Sequence, residues 1–141
     1  MKINYFILIF FCVIFVSFSN DTHFSISPNA KVVSKAQADK INDFSAFILN
    51  KTENDLTLHW RLLENTLVDG WDYSICNYGQ CIIGIPQAGK MKTIKNKEKG
   101  FLNLHVNPFK IKGTGKVSFY IFEKGNEKSG DTLTYLISSI D

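Results

Sequence analysis

The sequence predicts an all-β domain in which two antiparallel sheets pack face to face. Short apolar stretches with a period of two residues recur along the 141-residue chain, and turn residues separate them. Helical periodicity is scarce, and the best helix candidate, residues 34–41, is short and weakly amphipathic. A sheet that no helix covers must bury its apolar face against another sheet.

Three strand candidates occupy the first half of the domain. Residues 23–27 end at Pro28, and residues 43–50 end in a polar cluster. Residues 56–64 are the clearest, with alternating inward side chains at Leu56, Leu58, Trp60 and Leu62. This alternation indicates a half-buried strand, and a tryptophan in an early strand is typical of immunoglobulin-like sandwiches.

The second half of the domain predicts five further strands. Residues 71–76 and 81–85 form a hairpin after the turn signal Asp69-Gly70, and residues 101–106, 117–121 and 132–138 alternate clearly. A polar loop is expected over residues 125–131. The sum is an immunoglobulin-like antiparallel β-sandwich of about seven or eight strands with Greek-key connections. A closed barrel is the alternative.

The first nineteen residues are typical of a secretory signal peptide. Lys2 provides the positive end, residues 5–16 are apolar, and small residues Ser17 and Ser19 precede the expected cleavage point. The apolar run is shorter than the roughly 20 residues that span a bilayer, although a single membrane anchor is the alternative. We therefore expect an exported single domain, residues 20–141, with no transmembrane segment after cleavage.

Cleavage would leave two cysteines, Cys76 and Cys81. An even cysteine count in an exported chain predicts a disulfide, and free thiols or half of a metal site are the alternatives. The loop between the two cysteines is so short that the bridge would stabilise the fold by only about 2 kcal/mol.

The charge pattern argues against a nucleic-acid partner. Five lysines crowd into ten residues, but Arg61 is the only arginine and the formal net charge is only +3. A solvated loop or a lysine-blunted edge strand explains the lysines without nucleic acid. They are Lys90, Lys92, Lys95, Lys97 and Lys99.

The polar residues form no catalytic constellation, and no cofactor is expected. The histidines are His23, His59 and His105, and none of their spacings is that of a helical zinc site. His59 and His105 both point outward in the predicted strands, so a metal site shared between strands is one alternative to two exposed histidines. A structural cysteine pair is favoured over redox chemistry, because the spacing is not C-x-x-C.

Three aromatic residues around the cysteine hairpin are the candidate binding residues. If Trp71, Tyr73 and Tyr78 are exposed, they could form a platform for a sugar ring, a peptide or another protein domain. If they are buried, they belong to the core.

Several short motifs resemble a class of immunoglobulin-like domains found in secreted and cell-surface proteins of Bacteroidetes. The resemblance covers roughly Asp43 to Ile137. Its motifs are Leu58-His59-Trp60-Arg61, Gly70-Trp71, Ser74-Ile75-Cys76-Asn77, Gly79-Gln80-Cys81 and Gly113-Thr114-Gly115. The resemblance implies a sandwich fold, an exported location and a Cys76–Cys81 bridge, but no function. Many members carry a C-terminal sorting domain, and nothing follows Asp141 here. We therefore expect either the periplasm or the cell surface as the location.

The expected function is therefore a non-catalytic, exported module that offers a binding or assembly surface to an unknown protein or glycan. A carbohydrate or small-ligand binder that uses the hairpin aromatics is the first alternative. A metal-binding or redox sandwich is the second.

Overall fold

The structure, a computed structural model, describes residues 22–140, and within that range the chain forms eleven β-strands and no helix. The predicted signal peptide lies outside the described residues. No helix in the described range could cross a membrane. The strands are β1 (Phe24–Ser27), β2 (Lys31–Lys35), β3 (Asn42–Phe44), β4 (Phe47–Asn50), β5 (Leu58–Asn65), β6 (Asp72–Asn77), β7 (Gln80–Ile83), β8 (Ala88–Lys90), β9 (Lys99–Asn107), β10 (Gly113–Glu123) and β11 (Asn126–Ser139).

The strands form two sheets that pack as a sandwich. The six-stranded sheet has the order β1-β4-β9-β6-β7, with β3 beside β9, and the five-stranded sheet has the order β2-β11-β10-β5-β8. Neighbouring strands are antiparallel except β2, which runs parallel to β11. The all-β sandwich predicted from the sequence is confirmed, with one parallel pair in a sheet that was expected to be antiparallel throughout.

The inner faces of the two sheets cover each other with alternating apolar side chains. Each of the three long strands β9, β10 and β11 contains a stretch in which every second side chain is fully buried and points into the core. These residues are Leu102, Leu104 and Val106, then Val117, Phe119 and Ile121, then Leu133, Tyr135 and Ile137. The period of two therefore predicted the core face of each of these strands correctly.

Trp60 of β5 lies on the inner face of the five-stranded sheet and is fully buried. Its ring meets Phe119 edge to face, with centroids 5.3 Å apart. Edge strand β8 can lie against the indole because residue 89 is glycine: a Cβ there would lie 2.4 Å from Trp60 Cζ2. Gly89 is thus the residue that lets β8 join the sheet.

One hydrogen bond crosses the core from sheet to sheet. The Tyr135 hydroxyl of β11 donates to the backbone carbonyl of Leu102 in β9. The Tyr135 ring also contacts Phe119 edge to face, with centroids 6.5 Å apart. Burial, with a smaller effect from the charge of Asp43, raises the pKa of Tyr135 well above its ordinary value.

Three sequence-based expectations for the secondary structure are wrong. Residues 34–41 form no helix, because Ser34 and Lys35 belong to β2 and the rest is turn and coil. Residues 126–131 are not a loop, because the β10–β11 hairpin continues to a turn at Gly125. The strand count exceeds the seven or eight expected, since several strands have three to five residues.

We expect Tyr135→Phe to lower the free energy of unfolding by about 1–3 kcal/mol, because the buried Leu102 carbonyl loses its donor. In the unfolded chain the phenol ionises near its ordinary pKa of 10.0, whereas in the folded protein it stays neutral at higher pH. The contribution of Tyr135 is therefore complete below about pH 10 and is lost above it, by up to roughly 1.4 kcal/mol per pH unit.

Urea unfolding of both proteins from neutral to alkaline pH measures this effect. The stability difference between wild type and Tyr135→Phe should shrink above the ordinary pKa of tyrosine. A difference that stays constant with pH would contradict the buried, neutral phenol.

Candidate functional site

The β6–β7 hairpin carries a disulfide between directly paired residues. Cys76 of β6 and Cys81 of β7 are register partners, and the bridge that was predicted from the sequence joins them. Cys76 is only 4% exposed, whereas Cys81 is exposed because β7 is the last strand of its sheet. The Tyr78-Gly79 turn is held against β9, since the Tyr78 N–H donates to the Phe101 carbonyl at 2.9 Å.

Three polar side chains line up across the outer face of the six-stranded sheet. Asp43 of β3 and Ser74 of β6 are the register partners of His105 on the two sides of β9. His105 points outward because its neighbours Leu104 and Val106 point into the core. The register thus places a carboxylate, an imidazole and a hydroxyl in one row.

The imidazole of His105 contacts all of its polar neighbours through two distinct atoms. Nε2 lies 3.3 Å from Asp43 Oδ1, while Nδ1 lies 3.5 Å from Ser74 Oγ and 3.6 Å from Cys76 Sγ. A carboxylate that accepts the Nε2 proton leaves Nδ1 as the basic nitrogen. The basic nitrogen therefore faces the disulfide and the serine. We call Asp43, Ser74, Cys76, Cys81 and His105 the hairpin face.

An open pocket of about 300 Å³ adjoins the hairpin face. Two exposed isoleucines line it, Ile41 at 69% exposure and Ile83 at 95%. The other lining residues are Asp72, Tyr73, Ser74, His105, Val106 and Asn107. Apolar walls with a few convergent polar groups are the usual composition of a binding pocket.

The three predicted binding aromatics do not share one surface. Trp71 is 4% exposed, and its indole N–H donates to the Ile111 carbonyl at 2.9 Å, so it belongs to the core. Tyr73 packs partly against the core and also lines the pocket. Tyr78 is half-buried at the hairpin turn and meets Phe101 edge to face at 5.7 Å.

The histidines are too dispersed for the metal site that their outward orientation allowed. His59 lies on β5 and His105 on β9, which are strands of different sheets, so the two side chains are on opposite outer faces. His23 pairs instead with Glu123, with Nδ1 and Oε2 2.8 Å apart. Within residues 22–140, no group of three or more His, Cys, Asp or Glu side chains is placed to hold a metal ion.

A second row of side chains lies on the outer face of the five-stranded sheet. The Arg61 guanidinium lies 4.8 Å from the Tyr120 ring centroid, Tyr120 stacks on Phe122, and Phe122 stacks on His59. Since Arg61 already covers Tyr120, this row is better suited to stabilise the sheet than to receive a ligand. Period-two alternation could have indicated the row, because all four residues occupy outward positions.

The hairpin face and its pocket can support two kinds of chemistry. The exposed isoleucines and convergent polar groups can bind an apolar side chain within a polar frame. His105 can accept a proton next to a disulfide whose second sulfur belongs to an exposed residue. Sequence reasoning found the cysteines, but it did not connect them with Asp43, Ser74 or His105.

Comparison with solved structures identifies the fold. The chain is similar to the N-terminal domain of PorA, with a TM-score of 0.59 and 15% identity over 79% of this chain and 87% of that chain. It is also similar to part of a family 123 glycoside hydrolase from Clostridium perfringens, with a TM-score of 0.50 and 9% identity over 79% of this chain and 23% of that chain. No protein-family model and no curated protein matches the chain. At these identities the similarities establish an immunoglobulin-like sandwich and leave activity open.

Proposed function

We propose that this chain is an exported, non-catalytic immunoglobulin-like module that binds an extended segment of a partner protein beside the β6–β7 hairpin. The observation that carries the proposal is the pocket that exposed Ile41 and Ile83 line together with polar side chains. An isoleucine that is 95% exposed gains little from the fold itself, and its burial against a partner would be favourable.

The position of β7 supports an extended partner. It is the last strand of the six-stranded sheet, so one side of its backbone has no neighbouring strand among the described residues. A free edge can pair with an added strand, and alternate side chains of that strand can then enter adjacent pockets. β7 has only four residues, so the pocket rather than the edge would supply most of the specificity.

The polar groups at the pocket would fix the orientation of the bound segment. Asp72, Ser74, His105 and Asn107 together offer both donors and acceptors. Such groups contribute to specificity because a partner that fails to pair with them leaves them desolvated.

A carbohydrate platform made of Trp71, Tyr73 and Tyr78 is a weaker candidate. A sugar ring needs an exposed aromatic face, but Trp71 is buried and its N–H already has an acceptor. Tyr73 is the member of the trio that lines the pocket, and we retain it in the proposed peptide site.

We also propose that residues 1–19 direct export and that the domain belongs to the Bacteroidetes class its motifs resemble. The Cys76–Cys81 disulfide supports export, because disulfides persist in oxidising compartments. The sandwich fold supports the class membership, as does the close cysteine pair.

Peptides selected from a random displayed library on the oxidised domain provide a test of the binding site. We expect the selected peptides to bind Ile83→Glu at least about tenfold more weakly, because a charge would replace the apolar wall. Affinities are measured by calorimetry or fluorescence anisotropy with synthetic peptides.

Leu63→Glu is the matched control, since Leu63 is 52% exposed on β5 of the other sheet. Peptides that bind both variants as tightly as wild type would refute the pocket as the binding site.

Expression of the full chain in a Gram-negative host tests the export proposal. We expect oxidised protein in the periplasmic fraction whose first residue, by mass spectrometry, is Asn20. Recovery of the uncleaved chain in the cytoplasm, with both thiols of the hairpin reduced, is the opposite result.

A further inference from the structure

We propose that the Cys76–Cys81 bridge is a thiol–disulfide exchange site, in which an incoming thiol attacks Cys81 and His105 assists the departure of Cys76. The substrate class is a thiol pair, or a disulfide in the reverse direction. This inference does not depend on the proposed peptide site.

The two cysteine residues differ in exposure. Cys81 is exposed on the last strand of its sheet, whereas Cys76 is 4% exposed between β7 and β9. Exchange requires a thiolate to approach one sulfur of the bridge, and access decides which sulfur it attacks. The geometry therefore assigns attack to Cys81 and makes Cys76 the leaving group.

His105 is close enough to Cys76 to stabilise its sulfur as the leaving thiolate. Its Nδ1 lies 3.6 Å from Cys76 Sγ, and its Nε2 faces Asp43 Oδ1 at 3.3 Å. Asp43 orients the ring and favours the tautomer whose Nδ1 can accept a proton, and it also stabilises the ring once protonated. Asp43 is thus a positioning residue, and the nearby Ser74 hydroxyl is a second polar neighbour of Nδ1.

The step balances without a further reactant. A thiol RSH gives its proton to His105 Nδ1 through solvent, and RS⁻ attacks Cys81 Sγ in line with the S–S bond. The S–S bond breaks, RS–S–Cys81 forms, and Cys76 departs as a thiolate paired with the protonated imidazole. A second thiol then attacks the sulfur of RS, which releases a disulfide, and its proton passes to the Cys81 sulfur. The thiol pair is oxidised and the bridge is reduced.

Backbone pairing closes the hairpin independently of the bridge. Cys76 and Cys81 are register partners in a hairpin that backbone pairing already closes, and only four residues separate them. Within the hairpin face, the bond is therefore better placed for chemistry than for holding the sandwich together. A purely structural bridge is the competing interpretation, and it assigns no role to His105.

The test is the rate at which dithiothreitol reduces the oxidised domain, followed by alkylation and mass spectrometry. We expect His105→Asn to slow reduction about tenfold, the effect of losing one charge-assisted hydrogen bond to the leaving thiolate. Asp43→Asn should slow the reduction less than His105→Asn does. If circular dichroism shows that His105→Asn does not fold, Asp43→Asn is used as the test variant in its place. His59→Asn, on the other sheet, is the control and should react as wild type does.

A brief exposure to glutathione followed by iodoacetamide identifies the attacked sulfur. We expect glutathione on Cys81 and the alkyl group on Cys76. Wild-type rates in both the His105 and Asp43 variants, or glutathione on Cys76, would overturn the proposal. Leu63→Glu, on the outer part of the other sheet, should leave the exchange rate unchanged.

Discussion

The mutual burial of two apolar sheet faces is the constraint on which the rest of this structure depends. Within residues 22–140 no helix covers either sheet, so β9 on one side and β10 and β11 on the other must shield each other. Trp60, Phe119 and Tyr135 fill the space between them with successive edge-to-face contacts, and the Tyr135 hydroxyl ties its sheet to the Leu102 carbonyl of the other. Because this stabilisation is internal, the outer faces are left to side chains that the core does not need.

The parts of the fold that the sequence predicts are those where burial alternates. β5, β9, β10 and β11 could be found because one side of each strand is apolar and the other is not. The edge strands β2 and β8 leave no such pattern, since Lys31–Lys35 has the two apolar residues Val32 and Val33 side by side and Ala88–Lys90 is too short. The far end of the β10–β11 hairpin can be polar because hydrogen bonds stabilise it instead of burial. Besides the backbone pairing, the Tyr120 hydroxyl donates to the Glu127 carbonyl and accepts from the Gly130 N–H.

Part of the candidate site could likewise be predicted from the sequence, and part could not. A disulfide follows from two cysteines in a chain whose first nineteen residues predict export, and the hairpin follows from the short loop between them. The contact of His105 with Cys76 does not follow, because it depends on the register of strands whose residues are 29 positions apart in the chain. Asp43 and Ser74 join the row only through their pairing with β9. The core fixes that register, so the proposed site is a consequence of the sandwich even though none of its polar groups supports the core.

Amide hydrogen exchange of wild type and the Cys76→Ser/Cys81→Ser double variant most directly tests whether the sheet-on-sheet core, and not the bridge, holds the protein together. We expect the amides of β5, β10 and β11 to keep their protection in the double variant, while those of β7 and the end of β6 exchange faster. A loss of protection that extends through β10 and β11 would contradict this, because the hairpin and its disulfide would then support the whole domain.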